Sequence, residues 1–177
     1  YKLYKLYKLN PYFCSMKFSL QRNLASLYVI KIAKWMNLVM PVLVLFYQSH
    51  GMSMQDVFTL QAVYSFTLMF LEIPTGFFAD KYGRRNSMIL GSFFGVAGYL
   101  IYASLSGFWI FVLAELALGV GQSLISGADS AMLYDSLKAE NKAGKYVLWE
   151  GRVTSLGNFA EAIAGFTGGF LAIRSLY

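Results

Sequence analysis

The residues most able to do chemistry are polar side chains that lie inside long apolar stretches. Between Phe108 and Leu133, Glu115, Gln122 and Asp129 fall within roughly 60° of one another at about 100° per helical residue. They therefore share one helix face. A charge removed from water is costly unless it is paired or hydrated. The pattern predicts that this face points into the interior of a helix bundle.

Other carboxylates carry a similar cost. Glu161 lies about eight residues into the last apolar stretch, near its middle. Glu72, Gly76 and Asp80 are spaced four residues apart and share a helix face. For each carboxylate the alternative is a neutral or hydrogen-bonded structural group, and Asp129 and Glu72 are assigned to a charge network nearer the inside.

Asn37 and Pro41 lie four residues apart in the first apolar stretch. Pro41 has no backbone donor and leaves the carbonyl of Asn37 without its helical partner. The pair predicts either a bent helix that faces a cavity or a tolerated kink. Elsewhere Gly76, and Gly91 with Gly95, predict places where neighbouring helices pack closely.

A short basic connector joins the second and third apolar stretches. Gly83 permits a sharp turn there, and Asp80 can pair with Arg84. Asp135, at the end of a later stretch, is a candidate partner for Arg84 or Arg85. Such pairs can form in one conformation and break in another, as a gate requires. The residues of this candidate gating motif are Gly76, Asp80, Lys81, Gly83, Arg84, Arg85 and Asp135.

Long apolar runs must position these residues. The chain is 57% hydrophobic and 14% charged, whereas a soluble domain carries about 25% charged residues. Most runs lack the polar face of a soluble helix and approach the roughly 20 residues that a hydrocarbon core requires. The predicted fold is all-α, a polytopic membrane helical bundle with about five spans: Leu27–Tyr47, Val57–Ala79, Met88–Ser104, Phe108–Leu133 and Val153–Ile173.

The basic residues indicate an orientation. If the N-terminus is cytoplasmic, 14 of the 15 Lys and Arg residues lie inside and only Arg174 lies outside. The net charge of +6 therefore reports topology in a plasma (inner) membrane and not a nucleic-acid surface. Cys14 is the only cysteine and His50 the only histidine. No metal site, cofactor, nucleophile elbow or phosphate loop is expected, so no enzyme is predicted.

The chain divides into a basic N-terminal tail, 1–22, and an incomplete transmembrane domain, 23–177. The tail begins with Tyr-Lys-Leu three times and has no initiator Met. One hypothesis is that 1–15 are translated upstream sequence and that Met16 is the natural start. The alternative is a short amphipathic segment on the membrane surface, since Tyr and Leu alternate with Lys.

The connector matches the pattern Gly-x-x-x-Asp-(Arg/Lys)-x-Gly-(Arg/Lys)-(Arg/Lys) that marks the major facilitator superfamily between its second and third helices. From about Leu24 to Ile173 the chain resembles the N-terminal half of that family in span count, loop lengths and orientation. The resemblance implies that the connector latches the two transporter halves together on the cytoplasmic side. Proton-driven drug exporters often carry Arg where Glu115 stands, and the fifth span lacks the Pro and two Gly of the antiporter pattern.

The resemblance implies a secondary active transporter that moves a small solute by alternating access, with proton-coupled efflux as one mode. Its partners would be the solute, protons, the bilayer, and a missing C-terminal half or another chain. Glu161 or Glu115 would carry the proton. The alternative is a non-transporting truncated membrane protein or a membrane-embedded interaction partner. The candidate cavity or proton-coupling residues are Glu161, Glu115, Asn37, Gln122, Asp129 and Glu72.

Overall fold

The computed structural model describes residues 20–37 and 40–176, so residues 1–19 of the predicted tail 1–22, with the proposed start at Met16, lie outside the described residues, and the last three residues of that tail belong to the first helix. The described part is helical, and no strand occurs in it. Short 3-10 turns cover Met40–Val42 and Ala143–Lys145. The α-helices are α1 (Leu20–Trp35), α2 (Leu43–Ser49), α3 (Met54–Tyr82), α4 (Arg84–Ser104), α5 (Phe108–Ala139) and α6 (Tyr146–Leu176).

The helix boundaries follow local sequence signals. A capping box begins α3, in which the Ser53 hydroxyl accepts from the Asp56 amide at 3.2 Å and the Asp56 carboxylate accepts from the Ser53 amide at 2.9 Å. Gly83, between α3 and α4, has a φ of 96°, and Gly107, between α4 and α5, has a φ of 138°. L side chains rarely adopt such values, so the predicted sharp turn at Gly83 is confirmed.

Helix α5 is the centre of the bundle, with α4 on one side and α3 on the other. A Cβ added to Gly121 would lie 2.7 Å from the Gly91 carbonyl oxygen and 2.9 Å from the Gly95 nitrogen. On the opposite side, a Cβ on Gly119 would lie 2.8 Å from Thr67. The close packing predicted for Gly91 and Gly95 is confirmed at Gly91, whose added Cβ would lie 2.7 Å from the Gly121 carbonyl oxygen, whereas a Cβ added to Gly95 would meet nothing within 4 Å.

Gly76 was expected to permit a similar close approach, and this expectation is wrong for the described residues. A Cβ added to Gly76 would meet nothing within 4 Å. The backbone of Gly76 does lie beside Gly127 of α5, whose added Cβ would be 3.7 Å from the Gly76 Cα. That separation is an ordinary van der Waals contact, so the tight α3–α5 contact depends on Gly119 and not on Gly76.

The first predicted span is not one continuous helix. Helix α1 ends at Trp35, and α2 begins at Leu43 after the 3-10 turn that contains Pro41. The Asn37 carbonyl accepts a 3.4 Å hydrogen bond from the Met40 amide. Because Pro41 has no amide hydrogen to donate, the backbone here takes a shorter turn instead of continuing the α-helix.

Three helices of the described chain, α3, α4 and α5, are long and apolar enough by length and composition to cross a membrane. The first predicted span is absent from this group because it is divided. The fifth lies within α6, which has 31 residues and spans about 46 Å at about 1.5 Å per residue.

Candidate functional site

A charged turn lies where α3 meets α4. We use this name for Asp80, Gly83, Arg84 and Asp135. The guanidinium of Arg84 pairs with Asp80, four residues earlier near the end of α3, and its Nε lies 3.7 Å from Oδ2 of Asp135 on α5. One cation is thus shared by two carboxylates from different helices. Their side chains are 62% and 51% exposed, so the pairs are partly screened by solvent and can form and break at low cost.

The other two basic residues of the motif, Lys81 and Arg85, lie at the surface of the same turn. The Lys81 ammonium lies 5.3 Å from the ring centroid of Tyr82, and Arg85 is exposed. Asn86 donates to the Tyr82 carbonyl at 2.9 Å, which ties the first turn of α4 to the end of α3. Arg84 is therefore the motif cation that connects α5 to the turn.

A buried ion-pair cluster lies further along α5 from the charged turn. It consists of Lys31, Lys34, Asp129 and Glu150. Oδ2 of Asp129 lies 3.2 Å from Nζ of Lys31 and 3.5 Å from Nζ of Lys34. Lys31 also lies 3.7 Å from Oε1 of Glu150, and Ser130 donates to both carboxylates. Two cations on α1 thus face two anions, one on α5 and one on α6.

The balance of charge explains how this cluster can be buried. Asp129 is 2% exposed and Lys31 is 8% exposed. Burying an isolated charge costs several kcal/mol, whereas a paired and hydrogen-bonded charge recovers much of that cost. From the sequence both lysines were expected to be inside charges, and their pairing with Asp129 and Glu150 was not predicted. Their signal was present, since Lys31 and Lys34 lie three residues apart inside a predicted span, where a charge requires a partner.

A tyrosine–carboxyl cluster lies in the other half of α5. It consists of Tyr47, Gln61, Tyr102 and Glu115. Oε1 of Glu115 accepts from the Tyr47 hydroxyl at 2.6 Å and from the Tyr102 hydroxyl at 2.8 Å. The two hydroxyl oxygens are themselves 2.6 Å apart. Gln61 donates to the same oxygen at 3.4 Å. Four helices, α2 to α5, each contribute one residue.

Aromatic rings surround this carboxyl group. Phe46, Tyr47, Tyr102 and Phe111 lie with neighbouring ring centroids 5.3–6.1 Å apart. Glu115 itself is 4% exposed. An apolar shell weakens dielectric screening, which strengthens each hydrogen bond and makes an unpaired charge expensive. The two tyrosines were not predicted as partners of Glu115, because a Tyr at the end of a span is usually an interfacial residue.

The other candidate cavity residues are not brought together. Asn37 donates to the Tyr99 hydroxyl at 3.2 Å, and Gln122 is half-buried on α5. Glu72 and Glu161 are both exposed. The cost of a carboxylate inside a span predicts that Glu161 faces the bundle interior, but its side chain lies on the outer face of α6. The polar face of α5 does point inward at Glu115 and Asp129.

Comparison with known proteins identifies relatives. The family model described as Major Facilitator Superfamily matches residues 26–177, which is most of the chain. An uncharacterized transporter of Buchnera aphidicola subsp. Acyrthosiphon pisum is 31% identical over 80 residues, 45% of this chain and 20% of that protein. An uncharacterized MFS-type transporter of Bacillus subtilis is 25% identical over 113 residues, 64% of this chain and 28% of that protein.

The family model therefore covers most of this chain, whereas the pairwise alignments cover only part of each relative. The aligned segments cover between a fifth and just over a quarter of the curated relatives. No solved structure gives a significant match. The family is one of transport proteins, which points away from an enzyme. With its helical bundle, apolar helices and family match over residues 26–177, this chain belongs to the Major Facilitator Superfamily.

Proposed function

We propose that this chain takes part in secondary active transport of a small solute by alternating access, with the charged turn as a gating contact. The observation that carries the proposal is the sharing of Arg84 between Asp80 on α3 and Asp135 on α5. Both pairs are solvent-accessible, so a modest change in helix position can break one without large cost. A gate needs contacts that differ between two states, and these contacts can differ.

The proposal includes coupling to protons through a carboxylate. Glu115 is the stronger candidate, because it is buried among hydroxyl groups. Glu161 is exposed on α6. A carboxylate facing lipid would be costly, so the Glu161 face is expected to meet water or further protein. Such surroundings would suit a residue that lines a cavity between this chain and a second transporter half or another chain.

The test uses inverted membrane vesicles that contain the chain and are energised to build a proton gradient. A gradient-sensitive fluorescent dye reports proton movement as sugars, amino acids and cationic dyes are added one at a time. The proposal expects at least one solute to dissipate the gradient only in vesicles that contain the chain. Arg84→Gln should reduce that response more than Arg85→Gln, a matched control that removes the same charge from the neighbouring residue.

Absence of any solute-dependent response would contradict transport by this chain. Equal loss in Arg84→Gln and Arg85→Gln would contradict the gating role of the charged turn.

A further inference from the structure

The oxygens of Tyr47, Tyr102 and Glu115 form a closed triangle. Its sides are 2.6, 2.6 and 2.8 Å, each within the range of an O–H···O hydrogen bond. A hydrogen bond needs one proton between its two oxygens. Three such contacts therefore need three protons, and the tyrosine hydroxyls supply two.

The third proton must come from the carboxyl group. With Glu115 protonated on Oε1, each of the three oxygens can donate once and accept once around the ring. With Glu115 ionised, both hydroxyls donate to Oε1 and no proton remains for the contact between Tyr47 and Tyr102. Two hydroxyl oxygens at 2.6 Å without a shared proton repel each other. The observed triangle is thus the geometry of the protonated acid.

The neighbours of the triangle supply no compensating charge. Among the described residues, the titratable groups that face Glu115 are Tyr47, Tyr64, Tyr99 and Tyr102, and Gln61 is the amide donor. The imidazole of His50 lies tilted against the ring of Phe46 and edge to face with the ring of Phe111, at centroid distances of 4.5 and 5.6 Å. The buried lysines contact Asp129, 14 residues further along α5, which is about 21 Å at about 1.5 Å per residue.

We infer that Glu115 binds a proton, that Tyr47 and Tyr102 are its positioning residues, and that loss of the proton separates these two tyrosines. When the proton leaves Oε1 for water, the carboxylate accepts from both hydroxyls and the Tyr47–Tyr102 contact opens. Helix α2 then loosens from α4 at this end of the bundle. This inference deepens the proposed function and rests on it for a role in transport, although proton binding itself can be measured separately.

The first test is infrared spectroscopy of the full chain in lipid across a pH series. The expected result is a carboxylic acid C=O band at neutral pH that disappears completely in Glu115→Gln. Tyr47→Phe and Tyr102→Phe each remove two of the three ring contacts, so each should move the band to higher frequency. Phe retains the ring packing, which favours folding of both variants. Tyr64→Phe, which removes a nearby hydroxyl outside the triangle, should leave the band in place.

A second measurement follows the separation of α2 from α4. Spin labels at Gln48→Cys and Ser104→Cys, two exposed positions next to the tyrosines, are placed in a Cys14→Ser background. The inter-label distance should increase as pH rises and the acid band disappears. Glu115→Gln, which cannot ionise, should abolish that increase.

The outcomes separate this inference from the proposed function. A Glu115 acid band that moves in both Phe variants, without any solute-dependent proton movement, supports the proton site and contradicts transport by the chain. Absence of the band, or a band unmoved by both Phe variants, overturns the proton site. A pH-dependent distance that persists in Glu115→Gln overturns the separation of the tyrosines.

Discussion

Helix α5 carries two buried carboxylates whose surroundings differ in kind. Asp129 is 2% exposed and Glu115 is 4% exposed, and they lie about 21 Å apart at about 1.5 Å per residue. Asp129 faces two lysine ammonium groups. Glu115 faces two tyrosine hydroxyls and an amide. Burial of a carboxyl group is therefore made tolerable by cations at one place and by hydroxyl donors at the other.

The difference bears on what each site can do. A carboxylate between two lysines is held by ion pairs, and removing it would leave both buried lysines without their shared partner. A carboxyl group among hydroxyls can exist with or without its proton, at the cost of rearranging hydrogen bonds. The ion-pair cluster is thus suited to hold α1, α5 and α6 together, and the tyrosine–carboxyl cluster is suited to change.

The largest loss of stability is expected for Asp129→Asn. The substitution leaves Lys31 and Lys34 buried with Glu150 as their remaining acidic partner, and an uncompensated buried charge costs about 3–5 kcal/mol. The free energy of unfolding is measured by titrating the detergent-solubilised chain with SDS. Glu115→Gln is the matched control, since it removes a carboxylate of equal burial from the same helix. Equal losses in the two variants would remove the distinction between the clusters.

A double substitution tests whether the stability of the ion-pair cluster depends on its balance of charge. Lys31→Met combined with Asp129→Leu leaves Lys34 and Glu150, one cation and one anion. The double variant should therefore be more stable than Asp129→Asn alone, by about 0.5–3 kcal/mol, because coupling between residues in contact is of that size. The same SDS titration measures it. If the double variant is no more stable than Asp129→Asn, Lys31 and Asp129 do not interact as their 3.2 Å separation indicates.

A smaller loss of stability is expected when Glu115 is replaced by Leu. One tyrosine hydroxyl then loses its acceptor and the other loses its donor, and an unsatisfied buried polar group costs about 1–3 kcal/mol. Glu115→Gln keeps an acceptor and a donor and should cost less. Both are compared with the unaltered chain by SDS titration at neutral pH. A Leu variant as stable as the Gln variant would show that the hydrogen bonds of the triangle contribute little.

Much of the fold was predictable from sequence, because apolar length and small residues act locally. The turn at Gly83 and the approach of α4 to α5 follow from glycine alone. The partners of the buried carboxylates were not predictable in this way. Tyr102 meets Glu115 only after α4 and α5 fold against each other, and Lys31 meets Asp129 across 98 positions of sequence, counted from their numbers. The interior position expected for Glu161 failed because one helix period cannot tell which face meets the bundle.

The smallest stability effect is expected at the charged turn, which provides a third arrangement for comparison. Arg84 also faces two carboxylates, but these are 62% and 51% exposed, so Arg84→Gln should change the free energy of unfolding by about 1 kcal/mol or less. Added salt should weaken this contribution, while the buried Asp129 pairs respond little, since screening acts mainly on exposed charges. SDS titration at low and high salt measures both, with Arg85→Gln as control. A salt-insensitive loss as large as that of Asp129→Asn would mean that the turn is a fixed structural pair and unsuited to gating.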